Sequence, residues 1–202
     1  MRRVFQLLLA VLCFTPVAGM AADLAQFFQT VQSLRGQFTQ VVRDRHGVVV
    51  SRGEGRVWLQ RPGRFRWDYE KPYHEQIIGK GRVVWLYDPG LSQATRYNIT
   101  RALGRTPALL LAGRGHLTRL FRVRALPHHK GLHWIKLKPR GRGQGFRWIE
   151  IGYLGPRIVR IVVRDGLGQT TAIHLHHVVR NIVVPASLFE FRPPPHTAIV
   201  YP

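Results

Sequence analysis

The chain has 202 residues, 45% of them apolar and 20% charged, a composition that suits one globular domain and excludes a disordered segment. Lys and Arg number 31 against 10 Asp and Glu, a formal charge of +21. A single cysteine, Cys13, excludes a disulfide framework.

Arg2 and Arg3 precede an apolar run from Val4 to Phe14 that only Gln6 interrupts. Pro16 breaks the run, and Gly19-Met-Ala21-Ala22 offers the small residues a signal peptidase accepts. The run is too short for a bilayer, which needs about 20 residues. Residues 1–22 are therefore predicted to be an export signal cleaved near residue 21 or 22, leaving 23–202 as one domain. Removing Arg2 and Arg3 lowers the formal charge from +21 to +19. Cys13 lies inside the run behind the bulky Leu12, which does not suit a lipidation site. The exported chain is expected to have no lipid anchor.

Asp23 can cap a helix whose one face carries Leu24, Phe27, Phe28, Val31 and Leu34, and Gly36 ends that pattern. Short strands are predicted at 37–43, 48–52, 55–60, 64–69, 75–78, 83–87 and 94–97. Turn chemistry separates them at Asp44-Arg-His-Gly47, Arg61-Pro62-Gly63, Lys71-Pro72, Lys80-Gly81 and Asp88-Pro89-Gly90. Residues 102–122 interrupt the series. There Thr106 can cap a helix that Pro107 opens, running through Ala108-Leu109-Leu110-Leu111-Ala112. Strands resume at 132–138, 147–153, 157–164, 170–179 and 189–192, with the basic loop Arg140-Gly-Arg-Gly-Gln-Gly145 as a hairpin connection. This spacing predicts a mainly β domain, an antiparallel barrel or sandwich with short helices lying across a curved sheet.

Candidate chemistry is sparse. Asp44, Asp88 and Asp165 sit in turns, where Asp serves the backbone. Gly90-Leu-Ser92-Gln-Ala94 begins like a nucleophile elbow but lacks the closing glycine. No enzyme and no cofactor are expected. His174 and His176 would share a strand face and could supply two metal ligands, with a third from His128, His129 or His133; the other reading is a polar strand face. Arg64-Phe-Arg66-Trp67 and Arg147-Trp148 interleave cations and aromatics, yet export removes nucleic acid as a partner. A solvated basic face or an affinity for anionic lipid fits the charge as well. Phe65, Trp67 and Tyr69 alternate with Arg64, Arg66 and Asp68, so one strand face is apolar. Periodicity alone does not distinguish a filled core from an oily cavity.

Several stretches act together: Gly36-Gln-Phe38-Thr-Gln40, Gly53-Glu-Gly55, Arg61-Pro62-Gly-Arg-Phe65-Arg-Trp67-Asp-Tyr69-Glu-Lys-Pro72 and Trp85-Leu-Tyr87-Asp88-Pro-Gly-Leu91-Ser-Gln93. Thr106-Pro107, Leu137-Lys-Pro139, Asp165-Gly-Leu-Gly-Gln169 and Phe189-Glu-Phe191-Arg-Pro-Pro194 continue in the same order. In these the chain resembles the LolA family of periplasmic outer-membrane lipoprotein carriers. The resemblance implies an incomplete antiparallel β-barrel with short helices forming a lid over a hydrophobic cavity. It also implies an acylated lipoprotein cargo, an inner-membrane ABC-type lipoprotein-releasing transporter as donor and an outer-membrane lipoprotein acceptor as recipient. Such a carrier acts as a monomer in the periplasm, without cofactor or nucleic acid.

Arg61 matches an arginine that latches the lid through backbone carbonyls, a task that suits a guanidinium with five donors. Phe28, Phe65, Trp67, Leu109 and Leu111 match acyl-chain cavity positions, and Phe28 and Leu111 would meet when the lid closes. Without the family, Arg61 reads as a solvent-facing turn arginine. Gly79-Lys80-Gly81 stands where the family often has Ser-Asp-Gly, a change expected in a turn. The pile-up of Arg on strands also departs from the family, so docking electrostatics are expected to differ. The alternative function is a lipoprotein- or lipid-sensing envelope-stress regulator of the same fold, which would be expected to carry a second domain.

Overall fold

The computed structural model describes residues 27, 29–99, 120–141 and 145–202. Twelve strands form one sheet: β1 (Ser33–Arg43), β2 (Val49–Gln60), β3 (Arg64–Lys71), β4 (Glu75–Lys80), β5 (Val83–Asp88), β6 (Gln93–Asn98), β7 (Phe121–His129), β8 (Leu132–Pro139), β9 (Phe146–Leu154), β10 (Arg157–Asp165), β11 (Thr170–Arg180) and β12 (Ala198–Val200). Their order is β12-β6-β5-β4-β3-β2-β1-β11-β10-β9-β8-β7. Two hairpin meanders, β1–β6 and β7–β11, are thus zipped together through β1 and β11 at the middle of the sheet. Every neighbouring pair is antiparallel except β12 against β6, which is parallel. The expected incomplete antiparallel barrel is seen as an open sheet, mixed because of its one parallel pair, and the expected helical lid is not seen among the described residues.

Inside/outside alternation sets the register. On β3, Phe65 and Trp67 are buried, while Arg64, Arg66 and Asp68 project from the opposite face, where Arg66 pairs with Asp68 at 2.8 Å. The inner face continues through Leu34 and Phe38, Val57 and Leu59, Ile149, Ile151 and Tyr153, and Ile173 and Leu175, all in one apolar cluster. Among the described residues Ser33 is the one polar side chain that is buried, and its hydroxyl donates to the Ile182 carbonyl at 2.5 Å. A chain of this charge therefore keeps its cations off the inner wall, as the desolvation cost of an ion requires.

Several expected boundaries move. The two strands expected at 48–52 and 55–60 are one, β2. Leu34, assigned to the first helix, and Gly36, expected to end it, belong to β1, and helical backbone is described only at Phe27, Gln29 and Thr30 on that side of β1. Residues 189–192 are not a strand: Ala186–Phe189 is a 3-10 turn, and an extended segment follows without ladder bonds until β12. This C-terminal segment covers a second apolar patch on the outer face. There Phe191 packs 5.2 Å from both Trp85 and Tyr87, and Lys80 pairs with Glu190 at 3.0 Å. The mid-chain helix at 107–112 lies outside the described residues, as do 1–26 and 142–144.

Gly79 does not sit in a turn, as expected, but inside β4 opposite Phe65, whose ring lies directly over it. A Cβ there would stand 1.9 Å from that ring. The glycine lets an aromatic lie flat against the neighbouring strand. At the start of the same strand, burial first and then Asp88 raise the Glu75 carboxyl above its usual value near 4.5. A raised folded pKa means that ionised Glu75 opposes folding above that pKa, and the opposition disappears below the unfolded pKa. Glu75→Gln is thus expected to raise the melting temperature at pH 7 and to lose that advantage below pH 4.5. Thermal melts of both proteins across that range check it.

Candidate functional site: the apolar wall and the junction that holds the first helix

Of the expected cavity residues, Phe65 and Trp67 of β3 fall among the described residues. Phe65 and Trp67 are buried on the inner face, and Phe38 of β1 reaches across β2 to pack 4.7 Å from Trp67 and 4.9 Å from Tyr69. Neighbouring strands lie about 4.8 Å apart, so β1 and β3 are separated by roughly twice that. The contact is possible because the residue between them, paired to Phe38 on one side and Tyr69 on the other, is Gly55. The Tyr69 hydroxyl lies 3.0 Å from the Gln40 side-chain oxygen, to which it donates. Phe28, Leu109 and Leu111 lie outside the described residues.

The described residues of the inner wall are buried, with Phe38 packed against Trp67 and Tyr69. Three cavities lined by described residues lie elsewhere. One of about 740 Å³ sits between residues 49–54 of β2 and Lys71-Pro72. The other two, of about 550 and 360 Å³, lie under the C-terminal segment on the outer face and share Ile78, Glu190, Phe191 and Arg192.

Arg61 is not the solvent-facing turn residue that its position suggests. The helix before β1 closes with Val31 N donating to Phe27 O at 3.0 Å, which leaves the carbonyls of its last turn without partners inside the helix. Four consecutive carbonyls at this junction are taken up by two residues. Arg61 Nε donates to Val31 O and Arg61 N to Gln32 O, each at 2.8 Å. Asn181 Nδ2 donates to Thr30 O at 3.0 Å, and Asn181 N to Ser33 O at 2.7 Å. The Asn181 side-chain oxygen accepts from Gln32 N at 2.8 Å.

The Arg61 guanidinium also lies 5.3 Å from the Phe27 ring centroid, a cation–π distance. Its burial pushes its pKa down to about 10, so it stays charged at neutral pH. A cation at a helix C-terminus is favourable for the helix dipole. Sequence reasoning missed Asn181. The signal was an Asn directly after an alternating strand, since Asn tolerates the left-handed backbone that it adopts here at φ 54°.

The histidines do not form a metal centre: among the described residues no three His, Cys, Asp or Glu gather in a way that could hold an ion. His176 and His177 lie 3.1 Å apart through their Nδ1 atoms, with His177 Nδ1 2.9 Å from Gln37. Burial, then Arg160 and His176, lower the His174 pKa. His133 stacks near His128 and Tyr153, and His129 on Trp134. Ser92 is a turn residue whose carbonyl accepts from Ala198 N at 2.8 Å, tying down β12.

The open twelve-stranded sheet with an apolar inner face resembles the folds of solved proteins. It matches a solved LolA superfamily protein from Nitrosomonas europaea with a TM-score of 0.52 at 13% identity, over 86% of this chain and 97% of that one. An uncharacterized conserved protein from Thermus thermophilus matches with a TM-score of 0.56 at 14% identity, over 91% and 97%. The chain itself belongs to the family described as outer membrane lipoprotein carrier protein LolA, which residues 29–192 match. Its relatives include the outer-membrane lipoprotein carrier proteins of Methylobacillus flagellatus, 38% identical over 88% of this chain and 87% of that one, and of Methylococcus capsulatus, 39% identical over 85% and 82%. The carrier of Bordetella avium is 35% identical over 95% and 94%.

Proposed function

We propose that the protein is a non-enzymatic periplasmic carrier that shields the acyl chains of outer-membrane lipoproteins against the inner face of its sheet. The observation that carries this reading is the wall itself: an apolar face of this extent, in a chain otherwise rich in cations, within a family of lipoprotein carriers. An acyl chain of about 14 methylenes at roughly 0.8 kcal/mol each costs on the order of 11 kcal/mol to leave in water. With several chains, escape through water is too slow to be useful. Apolar contact of similar extent inside the carrier makes transfer nearly thermoneutral.

In this reading residues 1–22 are the export signal and 23–202 the carrier domain, acting as a monomer. An inner-membrane ABC-type transporter loads it, and an outer-membrane acceptor unloads it. Phe65 and Trp67 form part of the wall, with Phe28, Leu109 and Leu111 on the segments that cover it. Arg61 holds the first helix in the closed position through the Val31 carbonyl, and entry of acyl chains displaces that helix. The test is native mass spectrometry of the protein purified from the periplasm of cells overproducing a lipoprotein. An adduct with the mass of an acylated lipoprotein is the expected result. Free protein alone, at high lipoprotein expression, would overturn the reading.

A further inference from the structure

We propose that four neighbouring hairpin tips at one end of the sheet form a docking surface for an anionic phospholipid bilayer. The strands β6-β5-β4-β3-β2-β1-β11-β10 are consecutive in the sheet, so the turns β5–β6, β3–β4, β1–β2 and β10–β11 stand side by side at the same end. Each turn presents one large apolar residue to solvent: Leu91 (71% exposed), Tyr73 (81%), Val48 (60%) and Leu167 (89%). The turns at the opposite end, at 61–63, 81–82, 130–131 and 155–156, are built of Gly, Pro, Arg and Lys alone. The strongest apolar exposure among these hairpin turns is therefore at one rim, while at the other end Leu154, the last residue of β9, is 43% exposed.

The construction of the tips is shared. In three of the four an Asp turns its carboxylate onto its own backbone. Asp44 Oδ1 accepts from His46 N and Val48 N at 2.9 Å, Asp88 Oδ1 from Leu91 N at 3.1 Å, and Asp165 Oδ1 from Gln169 N at 2.7 Å. The acidic groups serve the turns, and the apolar side chains are left outermost. The rim is also continuous. A Cβ on Gly168 would meet Arg45 Cβ at 3.3 Å, which places the β10–β11 tip against the β1–β2 tip. The 740 Å³ cavity joins the β1–β2 hairpin to Lys71-Pro72 beside Tyr73.

The chemistry of the rim selects a bilayer. Hairpin tips repeat at two strand spacings, about 10 Å, so their apolar residues are separated by polar backbone and do not form the contiguous core of a protein interface. Separate tips can each enter a fluid lipid interface, where Tyr is favoured for its apolar body and polar end. Arg43, Arg45 and Arg52 are exposed on the same hairpin, while Glu54 is paired with Lys71 at 2.7 Å. Those arginines, on a chain of formal charge +21, complement an anionic headgroup surface.

This inference does not depend on the carrier reading, because it concerns the cargo-free protein. The test is co-flotation of the full chain with vesicles of phosphatidylglycerol and phosphatidylcholine, against pure phosphatidylcholine, at low salt. Binding to the anionic vesicles alone is expected. The charge-neutral triple variant Tyr73→Ser, Leu91→Ser, Leu167→Ser is expected to lose at least tenfold in bound fraction with an unchanged melting temperature. Val183→Ser, at a residue more exposed than any of the three (97%) but lying after β11, is expected to bind as the unmodified protein does. Absence of binding by the unmodified chain, or equal binding by the triple variant, overturns the proposal.

Discussion

Replacing Arg61 with leucine is expected to leave the sheet folded and to slow lipoprotein transfer by about 5- to 150-fold, the range that corresponds to roughly 1–3 kcal/mol on the equilibrium between closed and open forms. The substitution keeps the backbone bond from residue 61 to Gln32 O but removes the donor to Val31 O. A buried carbonyl without a partner costs about 1–3 kcal/mol. The helix also loses the cation at its C-terminal end. Asn181 still holds Thr30 O and Ser33 O, so the first helix is loosened without being released.

Arg61→Lys keeps the charge but not the planar fork, and is expected to fall between the two. Asn181→Ala is expected to phenocopy Arg61→Leu in part, because it removes the side-chain donor to Thr30 O and the side-chain acceptor of Gln32 N at the same junction. Transfer from inner-membrane spheroplasts to the acceptor, measured beside urea unfolding of each variant, separates the effect on carriage from that on stability. Unaltered transfer kinetics in a well-folded Arg61→Leu protein would remove the latch from the mechanism.

Gly55→Ala is expected to be the most damaging small substitution in the sheet. Its Cβ would stand 1.9 Å from the Asp68 carbonyl oxygen of the adjacent strand, a backbone atom that cannot rotate aside. The new methyl would also press on the Tyr69 Cα at 3.0 Å, in the strand that carries Trp67 and Tyr69 against Phe38. Overpacking of this kind costs about 1–3 kcal/mol and more where backbone must shift. At about 3 kcal/mol, a domain of this size loses roughly 6–12 °C in melting temperature. Because the aromatic trio must part, Trp67 fluorescence and near-ultraviolet dichroism are expected to change as well. Gly166→Ala is the control: it has open space around its Cβ position and is expected to stay within about 0.5 kcal/mol. Equal stabilities for the two variants would show that the β2–β3 ladder yields more easily than its geometry indicates.

Most of the sheet was legible because its strands alternate cleanly and are closed by Gly, Pro and Asp turns. The Phe65-Trp67-Tyr69 face is the clearest case. The failures have specific physical causes. β7 reads poorly because Arg122, Arg124 and Pro127 interrupt it, yet it is an edge strand, where charge and proline are tolerated. Leu34 fits a helix three residues after Val31 and fits a strand two residues before Gly36, and the ladder to Leu59 decides for the strand. Phe189 and Phe191 alternate like a strand, but Pro193, Pro194 and Pro195 follow, and their burial comes from packing onto the outer face instead. The burial of Phe65 and Trp67 on one strand face follows from periodicity, whereas their expectation as cavity residues came from family resemblance. Arg61 came only from family resemblance, since a turn arginine carries no local sign that it will reach a helix end thirty residues earlier. Asn181 lies 149 residues from Gln32, a contact that no local pattern encodes.

The outermost strands, β7 and β12, end the sheet without bonding to each other. A closed barrel has a girth fixed by strand number and stagger. This wall is a clasp instead, and it can widen by twisting while every ladder bond stays intact. Tails tethered to a bulky protein can then be laid in from the flank, where a ring would demand threading, and one clasp can suit cargoes whose tails differ in length.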